Sequence, residues 1–343
     1  MSIFFLVLDG CAPEYFTAET APRLHRLAGA HGFVKRVQCA MPSVTNVNHA
    51  CLLSGKWPEE TGIAGNYVYD PRTGREGFLE ERGYMRAPTL LQWARRAGGK
   101  TALLERLGLT PPPDIRSVDS TRWILEAAYR CMAAERPDFL YCTTNDCIFH
   151  HFAPGAAEAR EQIAAVDEWV SRLHDENPGL SIYITADHGM NQKTRLINFQ
   201  AVAERAGFAL YCLPPLKDRY IENHVYQEGG TLYVFLKDAA RDAEFVDFAR
   251  SQPEVEQVLT AAQAAAAYHL PEAAIGDYVL LAAPGCAFAE LPGERLHTEA
   301  SRTHGSLYER EIPLLAIHPA AGAEAYRFSK DVAAILMEER TDS

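Results

Sequence analysis

Three of the apolar, strand-like runs in this chain of 343 residues end in a carboxylate. The three acids are Asp9, Asp146 and Asp187. One acid at a strand end is common, because turns favour aspartate. Three are less common, and an α/β sheet binds its ligands at the carboxyl ends of its parallel strands. We therefore expect these carboxylates to share one site.

Histidines accompany the three acids. His150 follows Asp146 by four residues, a spacing that puts both side chains on one face of a helical turn, His188 directly follows Asp187, and His304 lies in a polar loop before the last apolar run. Taken singly, each histidine could be a surface residue or a hydrogen-bonded structural one. Taken together, they complete two sites: Asp146, His150 and His304 in the first, and Asp9, Asp187 and His188 in the second. Oxygen and imidazole ligands favour zinc, with manganese or iron as substitutes.

A hydroxyl lies at the start of a predicted helix within MPSVTNVNHACLLSG, residues 41–55. Thr45 could cap this helix by accepting a hydrogen bond from one of its first N–H groups. It could instead be a nucleophile whose anionic target binds those same N–H groups. The stretch alone favours the cap, and both interpretations stay open at this point.

Apolar runs alternate with amphipathic stretches along most of the chain. Predicted strands cover 2–9, 100–105, 138–146, 180–189 and 312–319, and predicted helices cover 21–32, 89–99, 117–135 and 159–179. Continuous apolar strands between amphipathic helices indicate a mainly parallel sheet with helices on both faces. The sequence therefore predicts an α/β fold.

One segment breaks this alternation. Between about 207 and 296 the pattern reads strand, helix, strand, helix, strand, with turn-like gaps around it. We interpret it as a small α+β cap inserted into the main sheet. Residues 1–206 and 297–343 would then form the metal-binding catalytic core, and residues 207–296 the cap.

Composition excludes several classes of function. Hydrophobic residues make up 48% of the chain and charged residues 23%, which is typical of a soluble globular protein. A net charge of −12 without a basic stripe argues against a nucleic-acid polymer or an anionic membrane as partner. The start of the chain lacks the features of a signal sequence, and no apolar run approaches the length of a membrane span. The eight cysteines form no C-x-x-C pair, so we expect reduced core thiols in a cytoplasmic protein, with a bridge involving Cys11, or Cys142 and Cys147, left open.

Five motifs resemble, in order, the metal signature of the alkaline phosphatase superfamily: VLDG, MPSVTNVNH, DCIFHHFAPG, ADHGMNQK and THG. They are most similar to the branch that holds phosphonoacetate hydrolases and nucleotide pyrophosphatase/phosphodiesterases. This resemblance implies an alkaline-phosphatase-like core and two zinc ions. It implies that Thr45 is both metal ligand and nucleophile, and that Asn66 donates a hydrogen bond to a phosphoryl oxygen. Metal coordination would also lower the pKa of the Thr45 hydroxyl enough for attack near neutral pH.

The flanking motifs favour phosphonoacetate as substrate, with its C–P bond cleaved to give acetate and phosphate. Phosphonoacetate hydrolases carry a lysine-rich stretch after the helix that ends in AGGK, whereas this sequence reads KTALLERLGL there. A buried substrate carboxylate needs a cation. The candidates in this sequence are Lys100, Arg106, Lys193 and Arg195.

Two other functions are weighed against this one. The first is a phosphodiesterase or nucleotide pyrophosphatase that cleaves a small phosphate diester. The second, which the presence of Thr45 disfavours, is a metal-stabilised binding protein without activity. A homo-oligomer is compatible with all three.

Overall fold

The computed structural model describes residues 2–79, 83–92, 112–219 and 224–333. Its strands are β1 Ile3–Val7, β2 Gly32–Gln38, β3 Tyr67–Asp70, β4 Arg75–Phe78, β5 Phe139–Thr143, β6 Ser181–Thr185, β7 Asn191–Ile197, β8 Leu210–Leu213, β9 Thr231–Leu236, β10 Val255–Thr260, β11 Tyr278–Ala282, β12 Cys286–Phe288, β13 Arg295–Thr303 and β14 Glu311–Ile317. Its helices are α1 Pro22–His31, α2 Thr45–Ser54, α3 Pro58–Thr61, α4 Val118–Glu135, α5 Cys147–His151, α6 Ala157–Glu176, α7 Phe199–Arg205, α8 Asp242–Arg250 and α9 Ala261–Tyr268.

The largest sheet has five strands in the order β2-β14-β6-β1-β5. The central strand β1 pairs in parallel with β5 and with β6. Every residue of β1 and β6 is buried, because helices cover both faces of the sheet. The predicted α/β fold with a mainly parallel sheet is confirmed.

Two details of this sheet were not predicted. The strand β2 was not predicted, and β14 runs antiparallel to both β2 and β6. The chain enters β14 from the loop that holds His304, at the carboxyl edge of the parallel strands. It has no crossover helix there, so it can only run back across the sheet.

The segment 207–296 carries all four described strands of a second sheet, which is antiparallel and ordered β10-β11-β9-β8. The end of this segment contributes elsewhere, since β12 and the first residues of β13 pair with β7 in a three-stranded sheet. The division at 206 and 297 stays a prediction.

The structure also bears on the predictions about the cysteines and about membrane-spanning helices. All eight cysteines are buried and none forms a disulfide, which confirms the expectation of core thiols. None of the described helices combines the length and the apolar character that a membrane span requires. The predicted strand 100–105 and most of the predicted helix 89–99 lie outside the described residues.

Candidate active site

The ends of three neighbouring strands bring the predicted acids together. Asp9 follows β1, Asp146 follows β5 and Asp187 follows β6, all at the carboxyl edge of the main sheet. The turn after β1 approaches the turn after β5 closely, and this approach depends on Gly10. Its φ is +70°, and a Cβ there would lie 2.9 Å from the Cβ of Asp146. The sequence thus places three carboxylates around one point.

Asp9, Asp187 and His188 form the second predicted site. They can offer ligand atoms within 4.8 Å of one another, and Asp187 and His188 are fully buried. One oxygen of Asp187, Oδ1, accepts hydrogen bonds from the backbone N–H groups of Gly10 (3.1 Å) and His188 (2.9 Å). Its other oxygen, Oδ2, and Oδ1 of Asp9 are buried and have no hydrogen-bond partner among the described residues. Buried carboxylate oxygens left in this way fit a bound cation.

Asp146, His150 and His304 form the first predicted site. Asp146 precedes the short helix α5, and its Oδ2 lies 2.8 Å from Nε2 of His150. The Nδ1 atoms of His150 and His304 bond to backbone carbonyl oxygens, each at 2.7 Å, so Nε2 faces the site in both rings. The His304 ring also stacks on that of His188 with 3.5 Å between centroids, so the two sites adjoin.

Thr45 lies between these groups. It is the first residue of α2, whose N-cap residue is Val44, and no side chain caps that helix end. Its hydroxyl oxygen is 3.2 Å from Nε2 of His188. The structure therefore does not use Thr45 as the helix cap and instead directs its hydroxyl at the predicted metal ligands.

The buried acids affect one another's ionisation. Burial, together with the charges of Asp187 and Asp146, raises the pKa of Asp9 well above its usual range. Asp146 is different, because the neighbouring imidazoles, His150 first, outweigh its burial and lower its pKa. A divalent cation would favour the ionised form of both carboxyl groups.

An open cleft of about 380 Å³ lies over the two sites. It is lined by polar and charged residues and by three apolar ones: Asp9, Thr45, Asn46, Asn66, Asn145, Asp146, Cys147, Lys217, Asp218, Arg219, His224 and His304, with Phe78, Leu79 and Ile115. One N–H of the Asn66 side chain bonds to Leu216 O at 2.9 Å, which leaves its second N–H for a ligand. The structure brings Thr45, Asn66 and the predicted metal ligands into one place.

The predicted carboxylate-binding residues are placed differently. Lys193 is buried, and its ammonium lies 2.7 Å from a carboxylate oxygen of Glu309. Arg195 lies exposed on β7, and neither residue lines the cleft. A buried ammonium needs a nearby carboxylate, which is why Lys193 points to Glu309. Lys100 and Arg106 lie outside the described residues.

Sequence reasoning missed four residues near the site. Lys217 and Arg219 line the cleft from the segment predicted as the cap, as does His224. His49 lies on α2, with Nδ1 2.6 Å from the Tyr141 hydroxyl and Nε2 3.7 Å from Asp187 Oδ2. For Lys217, Arg219 and His224 the available signal was their closeness in sequence, but no pattern showed that these three residues lie near the strand ends.

Comparison with known proteins agrees with this site. The model of the type I phosphodiesterase / nucleotide pyrophosphatase family matches residues 3–307. The chain belongs to this family. Its members and its structural neighbours are named as hydrolases, and the resemblance to the alkaline phosphatase superfamily noted from the motifs is confirmed.

Individual relatives are distant. An ectonucleotide pyrophosphatase/phosphodiesterase of Caenorhabditis elegans is 26% identical over 230 residues, which cover 61% of this chain and 31% of that protein. A pyrophosphatase/phosphodiesterase of Schizosaccharomyces pombe is 27% identical over 246 residues, which cover 61% of this chain and 50% of that protein. The chain thus spans half or less of the length of these curated relatives.

A solved structure resembles the chain over nearly its whole length. The phosphonoacetate hydrolase of Sinorhizobium meliloti, in complex with phosphonoacetate, superposes with a TM-score of 0.86 at 25% identity, and the match covers 98% of this chain and 95% of that one. This similarity supports the shared fold.

Proposed function

We propose that this protein is a two-zinc hydrolase in which Thr45 is the nucleophile. The observation that carries the proposal is the position of the Thr45 hydroxyl, 3.2 Å from His188 Nε2 and beside carboxylates and imidazoles whose ligand atoms lie, in groups of three, within 4.8 Å of one another. The donor set fits zinc, because it combines imidazole nitrogens fixed by backbone carbonyls with carboxylate oxygens that lack other partners.

The chain's own side chains account for most of the proposed reaction. Bound zinc would supply a lowered hydroxyl pKa and positive charge opposite the phosphoryl oxygens. The Thr45 oxygen forms a bond to phosphorus as the bond from phosphorus to the leaving group breaks, and Asn66 donates a hydrogen bond to a phosphoryl oxygen. Water then hydrolyses the phosphothreonine, releases phosphate and restores the hydroxyl.

For the substrate we propose phosphonoacetate, cleaved with one water to acetate and phosphate. The leaving carbon takes a proton as the C–P bond breaks. Similarity to the Sinorhizobium meliloti enzyme supports this substrate. So does the presence of two cationic side chains in the cleft lining, Lys217 and Arg219, since a substrate with a carboxylate needs a cation beyond the metal site. Lys217 lies 2.7 Å from Glu290 at the surface, an ion pair that a bound carboxylate would replace.

Phosphate release tests both parts of the proposal. The wild type should release phosphate from phosphonoacetate. Thr45→Ala should lose turnover by at least about 1000-fold while retaining its metals, because an interaction made only in the transition state is removed. Thr45→Ser should retain part of the activity. Wild-type turnover by Thr45→Ala would show that Thr45 is not the nucleophile.

Replacement of the cleft cations separates carboxylate binding from chemistry. Lys217→Met and Arg219→Met should raise KM for phosphonoacetate by about 10-fold or more and leave the turnover of a neutral-leaving-group diester nearly unchanged. Arg195→Met, an exposed site outside the cleft, is the matched control. Unchanged KM values in both cleft variants would remove Lys217 and Arg219 as carboxylate ligands.

A phosphodiesterase is the second candidate. The observation in its favour is the apolar part of the cleft, where Phe78, Leu79 and Ile115 would accommodate a base or an aromatic leaving group. Family membership is equally consistent with it. Rapid hydrolysis of a nitrophenyl phosphodiester or a nucleotide diester, with no phosphate from phosphonoacetate, would establish this function in place of C–P cleavage.

We also propose that the protein acts in the cytoplasm. The eight buried cysteines, none of which forms a disulfide, support a reducing compartment. Fractionation of cells with an antibody to the chain tests this proposal, and recovery in an extracellular fraction would contradict it.

A further inference from the structure

His224 lies beside the first predicted metal site although it belongs to none of the motifs that carry the family resemblance. It is 1% exposed, and its ring centroid is 4.4 Å from that of His150 and 5.6 Å from that of His304. The three imidazoles can each offer a nitrogen within 4.8 Å of the other two. They meet at one point from three different parts of the chain.

The hydrogen bonds of these rings have a common pattern. In His150, His188 and His304, Nδ1 bonds to a backbone carbonyl oxygen at 2.7 to 2.9 Å. That arrangement makes Nε2 the unprotonated nitrogen and presents it to the site. Histidines that bind metals are oriented in this way in proteins generally.

His224 has a related arrangement, with a hydroxyl oxygen at a longer distance in place of the carbonyl oxygen. Its Nδ1 lies 3.4 Å from the hydroxyl oxygen of Thr303, and that hydroxyl donates its own proton to Glu228 O at 2.7 Å. Thr303 can therefore accept the Nδ1–H of His224. The remaining nitrogen, Nε2, has Asp218 Oδ2 at 3.9 Å, beyond hydrogen-bond distance.

His49 makes an instructive contrast. It is also close to the acids, but the groups of residues able to hold an ion within the described part of the chain do not include it. Proximity alone therefore does not single out His224. Its convergence with His150 and His304 does.

We propose that His224 is a fourth protein ligand of the first metal site, with Asp146, His150 and His304. The inference rests on the two-metal function proposed above. Catalytic zinc sites keep a position open for water or substrate, so a zinc ion held by these four residues would have to take a substrate oxygen as a fifth ligand. Three imidazoles and one carboxylate would also favour zinc over manganese, because imidazole is the softer ligand.

This ligand would link two parts of the molecule. His150 and His304 belong to the predicted core, whereas His224 lies between β8 and β9, in the segment predicted as the cap. A metal held by all three would tie the connection that carries Lys217 and Arg219 to the strand ends. Occupancy of the first site would then help to position the cleft cations.

Metal affinity tests the inference without reference to turnover. The metal-free protein is titrated with Zn²⁺ in competition with a chromophoric chelator, for the wild type, His224→Ala and His224→Phe. The phenylalanine variant fills the same space without a nitrogen. His151→Ala, an exposed histidine next to a ligand, is the matched control.

We expect two zinc ions per wild-type chain, and a loss of at least about 10-fold in the affinity of one of them in both His224 variants. Replacement with Co²⁺ should show altered visible absorption in these variants, since one nitrogen ligand is lost, while His151→Ala matches the wild type. Equal affinities and equal Co²⁺ spectra in the wild type and both His224 variants would overturn the inference and leave the two-metal function intact. A wild type that binds no metal would overturn both.

Discussion

Lys193 and Glu309 illustrate how burial governs single charged side chains in this protein. Both are almost fully buried, 1% and 0% exposed, and their charged atoms are 2.7 Å apart. Burial alone would raise the pKa of Glu309, but the ammonium of Lys193 and hydrogen bonds from Ser306 lower it instead. The ionised Glu309 in turn accepts hydrogen bonds from the backbone N–H and the hydroxyl of Ser306, two residues after His304.

Removal of one partner of this pair should therefore be costly. We expect Lys193→Met to lower the free energy of unfolding by about 3–5 kcal/mol, because Glu309 is left as a buried, unpaired charge. The double variant Lys193→Met/Glu309→Gln should recover part of this loss. Urea unfolding measures both. The control is Arg195→Met, which is exposed on the same strand and should stay within about 0.5 kcal/mol of the wild type. A wild-type midpoint for Lys193→Met would contradict this account.

At the scale of elements, the turn after β1 determines how closely two acids approach. Gly10 has φ of +70°, and a Cβ there would lie 2.9 Å from Asp146 Cβ. Gly10→Ala should cost about 1–3 kcal/mol from backbone strain alone, and it should also weaken metal binding because Asp146 must move. Thermal unfolding and zinc content are the measurements. Gly29→Ala, in open space within α1, should be neutral or stabilising by about 0.5–1 kcal/mol.

A cluster of histidines joins three other elements. The ring centroid of His174 on α6 lies 5.9 Å from that of His31 at the end of α1 and 5.7 Å from that of His318 after β14. Both ring nitrogens of His174 lack a hydrogen-bond partner. Burial first, then His318 and His31, lower the pKa of His174, and Asp175 opposes them only in part.

This cluster predicts acid sensitivity with a defined sign. In the unfolded chain a histidine takes up a proton near its usual pKa of about 6.5, whereas folded His174 stays neutral to lower pH. The unfolded state then binds more protons, so stability should fall as pH drops below about 6.5. His174→Phe should show a smaller fall in Tm between about pH 7.5 and pH 5.5 than the wild type. His297→Phe, at an exposed position of β13, should behave as the wild type does, and an identical fall in all three proteins would exclude His174 as the cause.

The elements also show what could be inferred from sequence. Asp9, Asp146 and Asp187 were predictable because each ends a recognisable strand, and parallel strands present their carboxyl ends at one edge. The antiparallel direction of β14 could not be predicted, because apolar periodicity carries no information on strand direction. His224 and Lys217 were not predicted as site residues either, since their approach to the strand ends depends on contacts distant in sequence.

At the scale of the whole molecule, three separate regions meet at the site. The main sheet supplies the acids, α2 supplies Thr45, and the connections after β8 and β13 supply Lys217, His224 and His304. Three carboxylates so close together, of which Asp187 is fully buried, repel one another unless a cation lies between them. The metal ions of the proposed function would therefore stabilise the arrangement of all three regions.

Chelation should accordingly destabilise the whole protein. A ligand that binds only the folded state stabilises it by about 2.7 kcal/mol when its concentration is 100 times its dissociation constant. Dialysis against a strong chelator should therefore lower Tm by several degrees, and added Zn²⁺ should restore it in proportion to the logarithm of its free concentration. Asp146→Ala and Asp187→Ala should each retain one metal ion of the two and show a smaller response of Tm to the chelator. The assignment of these acids as ligands would be contradicted if neither the chelator nor zinc changed the Tm of the wild type. Retention of two metal ions in either variant would contradict it as well.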